Sequence, residues 1–200
     1  MKIIGLCGQS GAGKTTALEA FLKKGFAVVD CDEVARLVTR PGTVCLEELR
    51  EAFGDDIIFP DGSLDRKRLA AIAFSDKEKH RRLNKITHFH ILKKLDDIIK
   101  EKEALGFSAV VVDAPLLFES GLNKRCDKTI ALLADEKVRL ERIMARDFLT
   151  EEEARARISN QLSEKELERL SDFTVYNNEK KEDFLKEINA VVQKIGEEIE

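Results

Sequence analysis

Residues 8 to 15 read Gly-Gln-Ser-Gly-Ala-Gly-Lys-Thr, the spacing G-x-x-x-x-G-K-T. Each residue type there has a chemical use. Glycines let backbone N–H groups turn inward around a phosphate where side chains would collide, and a following helix adds its positive N-terminal end. Lys14 is set to reach the β and γ phosphates of a nucleoside triphosphate, and the Thr15 hydroxyl to ligate Mg²⁺. Three further groups carry chemistry. Asp30 and Asp32 stand in VVDCDEVARLV, where a carboxylate accepts a proton from an attacking hydroxyl, holds Mg²⁺ through water, or simply caps a helix. Asp113 ends AVVVD, the shape of a strand whose acid helps hold a Mg²⁺ shell. Arg139, Arg142 and Arg146 recur at spacings of three and four. They therefore share a helix face, either against a transferring phosphoryl group or as a solvated stripe paired with Glu136, Glu141 and Asp147.

The elements that must position these groups follow from the hydrophobic pattern. KIIGLC is a short apolar run leading straight into the glycines, and ALEAFLKKGF then places Ala17, Leu18, Phe21 and Leu22 on one helical face, with Gly25 at its stop. This strand–loop–helix context is what a phosphate-binding loop requires. FAVVD (26–30), FSAVVVDAP (107–115), KTIALLA (128–134) and FTVY (173–176) read as four more strands. Runs such as Val110-Val111-Val112 suit strands buried on both faces, and helical patterns separate them. The expected class is α/β, a parallel sheet covered by helices. Two helical segments, roughly 64–105 and 136–171, stand between strands, and Thr150-Glu151-Glu152-Glu153 is a capping-box pattern inside the second.

Composition sets outer bounds. Two hundred residues, 43% hydrophobic and 36% charged, suit one sizeable core. No apolar run approaches the ~20 residues that span a bilayer, and the first apolar stretch breaks at Gly8. A cytoplasmic address without membrane attachment is expected. The four cysteines form no C-x-x-C, and His88 and His90 lie two apart, so buried thiols and no zinc site are expected. The net charge of -4 argues against general nucleic-acid binding. Its distribution is uneven: Asp65 to Lys102 is net +6 and Ser163 to Glu200 net -5.

A guanine-specific N-K-x-D is absent, since Asn84-Lys85-Ile86 is followed by Thr87, and no glycine has an aspartate three residues before it. A switch GTPase is thereby excluded, and a small-molecule kinase fits the compact chain. At this point a resemblance is specific. GLCGQSGAGKTT, FLKKGFAVVDCDEVARLV, AFGDDIIFPDGSLDRKRLAAIAFSD, LNKITH, DAPLLFESGL, RIMARD with ISNQ, and SDFTVYNN occur in the order of the dephospho-CoA kinase family and cover nearly the whole chain.

The resemblance implies a P-loop, nucleoside-monophosphate-kinase-like core of five parallel strands formed by 1–63, 106–135 and 172–200. It implies a helical CoA-binding insert over 64–105 and a lid over 136–171. The implied reaction moves the ATP γ-phosphoryl group to the ribose 3′-hydroxyl of dephospho-CoA with Mg²⁺, giving CoA and ADP. Gly8 and Gly11, Ala12, Gly13, Lys14, Thr15 and Thr16 would bind the triphosphate, Asp32 activate the hydroxyl, Arg142 and Arg146 close over the phosphates, and Asn177 lie near the base. A monomer is expected, and another small-molecule nucleoside or nucleotide kinase is the alternative. Four positions differ from the family pattern: Phe89 replaces a proline, Leu167 a lysine, and Tyr176 and Glu179 flank the asparagine pair in place of Asp and Gly.

Overall fold

The structure is a computed structural model that describes residues 1–198. Its five strands are β1 (Lys2–Gly8), β2 (Ala27–Asp30), β3 (Ala109–Asp113), β4 (Lys128–Leu133) and β5 (Phe173–Tyr176), in the spatial order β2-β3-β1-β4-β5. β1 pairs in parallel with both β3 and β4, and β4 in parallel with β5. All five expected strands form, and the parallel α/β class holds. β3 is buried along its whole length, as its unbroken valine run requires of a strand covered on both faces. The chain leaves central β1 for one side of the sheet and later returns to the other side with β4. The loop after β1 therefore opens at the switch point, where such sheets bind ligands.

Two compact units divide the chain. The first comprises Met1–Val29 and the chain from Lys102 onward. It holds the sheet together with α1 (Lys14–Lys23), α6 (Glu136–Asp147), α7 (Glu151–Ser159), α8 (Glu164–Leu170) and α9 (Lys181–Glu197). Its main core joins Ile4 and Leu6 of β1, Ile130 and Leu132 of β4, Phe21 of α1, and Phe184 and Ile188 of α9. Leu22 departs from expectation, at 55% exposed. Ala17, Ala20 and Phe21 form the inward face of α1 instead, because i, i+3 and i+4 lie closest in angle. Gly25 does stop the helix, at φ 87°.

The expected capping box forms at Thr150, and a second forms at Ser163 with Glu166. Leu140, Ile143 and Ala154 pack α6 against α7.

The second unit, Asp30–Glu101, contains α2 (Cys31–Val38), α3 (Val44–Phe53), α4 (Arg66–Ala73) and most of α5 (Lys77–Ala104). This unit takes in α2 and α3 as well as most of the 64–105 segment. Val38, Cys45 and Leu49 pack with Ile57 and Leu69, and Leu83, Ile86 and Ile91 of α5 close over them. Among the described residues no helix is long and apolar enough to cross a membrane.

Cys7 and Cys45 are buried, whereas Cys31 and Cys126 are half-buried rather than fully enclosed as expected, and burial dominates the titration of Cys7, Cys45 and Cys126. It pushes Cys7 on β1 from 9.0 up to about 12, with Glu119 and Asp113 adding to the rise and Lys14 opposing it. Burial likewise pushes Cys45 and Cys126 up to about 11. A folded pKa above the unfolded value means that the unfolded chain loses its thiol protons first as pH rises. The stabilisation is therefore complete below pH 9 and is lost between 9 and about 12. We expect urea-unfolding stability to decline across that window, and the decline to be shallower in Cys7→Ala; equal slopes would remove Cys7 from this account.

Candidate phosphate-binding site

β1 ends at Gly8 and α1 begins at Lys14, so five residues make the turn between them. Gly11 (φ 84°) and Gly13 (φ 95°) both occupy the left-handed region that glycine enters without steric cost. Neighbours press on the loop from outside. A Cβ on Gly11 would lie 3.0 Å from the Arg139 carbonyl oxygen, and one on Gly13 only 2.4 Å from Asn177 Nδ2.

Asn177 and Arg142 also hold the loop's carbonyls. Asn177 Nδ2 donates to the Ala12 carbonyl (2.9 Å), while Arg142 Nη1 donates to the carbonyls of Gly11 (3.2 Å) and Asn177 (3.0 Å). Arg142 Nη2 donates to Asn177 Oδ1 (3.4 Å). In a trans peptide the C=O and the next N–H point opposite ways. Holding the Ala12 carbonyl outward therefore turns the Gly13 N–H inward, and the Ala12 N–H closes the turn on the Gln9 carbonyl (3.0 Å). The first N–H groups of α1 have no intrahelical acceptor and add to the same concavity.

Asn177 reaches this place because it directly follows β5, where its N–H donates to the Leu133 carbonyl (2.9 Å). Asn178 beside it exchanges two 2.7 Å bonds with Asp135 at the start of α6. The asparagine pair thus ties the end of β5, the start of α6 and the loop into one junction.

Lys14 Nζ meets Asp113 Oδ1 at 2.9 Å, a part-buried ion pair between the start of α1 and the end of β3. Thr15 is exposed on the first turn of α1. Among the described residues no group of three or more His, Cys, Asp or Glu could hold a metal. One hydroxyl and one carboxylate match the sparse protein ligation of Mg²⁺, which keeps waters and substrate phosphates as its other ligands.

The three arginines of α6 do not share one environment. Arg139 is 4% exposed, its Nε and Nη1 without hydrogen-bond partners among the described residues, and burial pulls its guanidinium below the ordinary value against Glu164 and Glu136. Arg142 is bound to the loop as described. Arg146 is exposed, bonded through Nε and Nη2 to Asp147, whose carboxylate also takes Arg157. The solvated-stripe reading therefore fails for Arg139, which turns inward beside Gly11.

Asp32 belongs to the second unit, on the first turn of α2. Asp30 Oδ1 accepts from the N–H groups of Asp32 (2.7 Å) and Glu33 (3.3 Å), so Asp30 is the cap. Asp32 is exposed, with its carboxylate directed to no capping role in α2. The second unit also contains a cavity of about 250 Å³ with apolar walls from Val38, Leu49, Leu69 and Ile91. Arg66 and Thr39 stand at that cavity, bonded to each other at 2.8 Å.

The four departures have local accounts. Leu167 is buried, Glu179 exposed, Phe89 exposed with its ring edge-on to His90, and Tyr176 donates to Glu168 (2.8 Å). The structure also adds Ser10 and Gln161, which share two hydrogen bonds. In the sequence Ser10 stands inside the quoted loop, and Gln161 is signalled by the ISNQ of the resemblance.

Comparison with known proteins bears on family and fold. The dephospho-CoA kinase family model matches residues 2–183. The chain is 39% identical over 196 residues to a dephospho-CoA kinase of Oceanobacillus iheyensis, covering 96% of each. A crystal structure from Thermus thermophilus superposes with TM-score 0.82 at 31% identity, over 96% of this chain and 97% of that one. A dephospho-CoA kinase from Campylobacter jejuni superposes with TM-score 0.71 at 29% identity, over 98% of each.

Gly13→Ala tests the loop geometry. The substitution adds left-handed strain of about 1–2 kcal/mol and an overlap with Asn177. We expect ATP affinity in calorimetry to fall at least about tenfold while circular dichroism is retained; wild-type affinity would contradict the described loop.

Proposed function

The chain belongs to the dephospho-CoA kinase family, and from that premise we infer that it transfers the γ-phosphoryl group of ATP to the ribose 3′-hydroxyl of dephospho-CoA, giving CoA and ADP. The observation that carries the reading is the match over residues 2–183. It takes in the loop, the Asp30–Asp32 pair, the arginine helix and the asparagine pair together.

The proposed chemistry is positioning and charge neutralisation. The Gly13 N–H and the N–H groups of the first turn of α1 cradle the triphosphate with Gly11 at the mouth of the loop, and Lys14 exchanges Asp113 for phosphate oxygens. Mg²⁺ would be held by the Thr15 hydroxyl with Asp113 nearby, and it would supply neutralisation of the β and γ oxygens. Asp32 orients the 3′-hydroxyl and takes its proton, a role that the capping commitment of Asp30 supports. Arg146, exposed beside Asp147, is the arginine that trades a carboxylate for phosphate oxygens. Arg142 works first through the Gly11 carbonyl it holds. We assign acceptor binding to the 64–105 segment, where Arg66 and the neighbouring cavity suit a ligand with a charged end and an apolar arm. The lid role is assigned to 136–171.

A coupled ADP-release assay tests the reading. ATP with dephospho-CoA should give ADP and a 3′-phosphorylated product by mass spectrometry, and chelation of Mg²⁺ should stop it. Turnover of nucleoside monophosphates with none of dephospho-CoA would overturn it. Lys14→Ala should lower kcat by roughly a hundredfold or more, the scale for removing a preorganised charge partner. Near-normal turnover in that variant would take Lys14 out of the mechanism.

A further inference from the structure

A third element touches the phosphate loop besides α6 and the end of β5. The turn between α7 and α8 runs along Gln9 and Ser10. The Ser10 N–H donates to Gln161 Oε1 (3.1 Å), and Gln161 Nε2 donates to Ser10 Oγ (3.3 Å). Beside them Gln9 Nε2 donates to the Leu162 carbonyl (3.3 Å). These three bonds join parts of the chain more than 150 residues apart. One carboxamide head makes both Ser10 contacts because it carries an acceptor and donors in a single plane.

The turn that offers Gln161 is itself held at both ends. Asn160 Nδ2 donates to the Ala156 carbonyl (3.0 Å), ending α7, and the Ser163 capping box starts α8. Gln161 therefore acts from a fixed base. It lines a cavity of about 60 Å³ whose walls include Gly8, Gln9 and Glu119. Inside the same junction Gln9 Oε1 is buried with no hydrogen-bond partner among the described residues.

Ser10 leads directly into the positive-φ glycines. Its placement sets where the Gly11 peptide begins, and hence how the following N–H groups face a triphosphate. Arg142 and Asn177 fix the loop at Gly11 and Ala12, downstream of Ser10. Gln161 fixes the upstream side, and it does so from the 136–171 segment.

We propose that Gln161 is a positioning residue for phosphoryl transfer: its carboxamide locks the Ser10 end of the phosphate loop to the α7–α8 turn, so that loop and lid segment hold one geometry at the γ-phosphoryl group. The proposal rests on the kinase reading above. It predicts a defect in transfer and not in acceptor binding. With the lock removed, the γ-phosphoryl group meets water more often, and ADP formed per CoA rises above one.

Gln161→Met keeps the length of the side chain and removes both bonds, and Ser10→Ala removes only the hydroxyl bond. In Gln161→Met we expect kcat to fall about tenfold with KM for dephospho-CoA within about twofold. We expect faster amide hydrogen exchange over residues 8–13, measured without substrates, and a thermal midpoint close to wild type. Ser10→Ala should show a smaller fall, and the double variant should be no worse than Gln161→Met, because both changes act on one contact. Wild-type kcat in Gln161→Met would overturn the proposal. So would a kcat loss with unchanged exchange over 8–13, or one that adds in full to the Ser10→Ala effect. A wild type that does not phosphorylate dephospho-CoA refutes the kinase reading instead, and the exchange comparison still decides whether the lock exists.

Discussion

The hydrogen bond from Asn177 Nδ2 to the Ala12 carbonyl is the contact on which the donor site depends. A loop of successive inward N–H groups concentrates like-oriented dipoles, and it holds that shape only if its carbonyls are taken up elsewhere. Asn177 and Arg142 take two of them, and Asn177 also accepts from Arg142, so the three groups brace one another. Glycine at 13 follows from the same contact, since Asn177 stands too close for a Cβ. At Gly11 it is the Arg139 backbone of α6 that leaves no room, and both glycines have positive φ.

The sheet order explains how residues so distant in sequence reach the loop. β1 lies at the centre, so the ends of β3 and β4 flank the loop and bring Asp113 to Lys14 on one side. β5 pairs with β4 and brings Asn177 to Ala12 on the other. α6 follows β4 within two residues, which sets Arg139 and Arg142 against Gly11. Strands buried on both faces are what make this rigid, since they cannot slide in register without exposing apolar side chains. Catalytic positioning here is inherited from packing.

Much of this was legible from local pattern. Strands of the Val110–Val112 kind, the stop at Gly25, and the capping box at Thr150 are short-range signals with short-range causes. The loop was legible because its spacing encodes a backbone shape. What pattern could not give was partner identity across more than a hundred residues. Arg139 read with Arg142 and Arg146 as one face turned to a phosphoryl group or to solvent, yet α6 lies against Gly11 and takes it inward. The Asp30–Asp32 pair could not be ranked until the Asp30 cap was seen. That α2 and α3 pack with α4 and α5 was not legible, because an amphipathic helix looks alike whether it covers a sheet or another helix. Gln161 stood only within the ISNQ of the resemblance and without a role, since a carboxamide in a turn is ordinary until its partner is known.

The most direct test of the bracing account is the affinity of Asn177→Ala for ATP with Mg²⁺, measured by titration calorimetry alongside the unfolding midpoint. Removing the donor to Ala12 and the acceptor for Arg142 should weaken binding about tenfold or more, with circular dichroism preserved. Wild-type affinity in a folded Asn177→Ala protein would show that the loop keeps its shape without this contact, and would contradict the account.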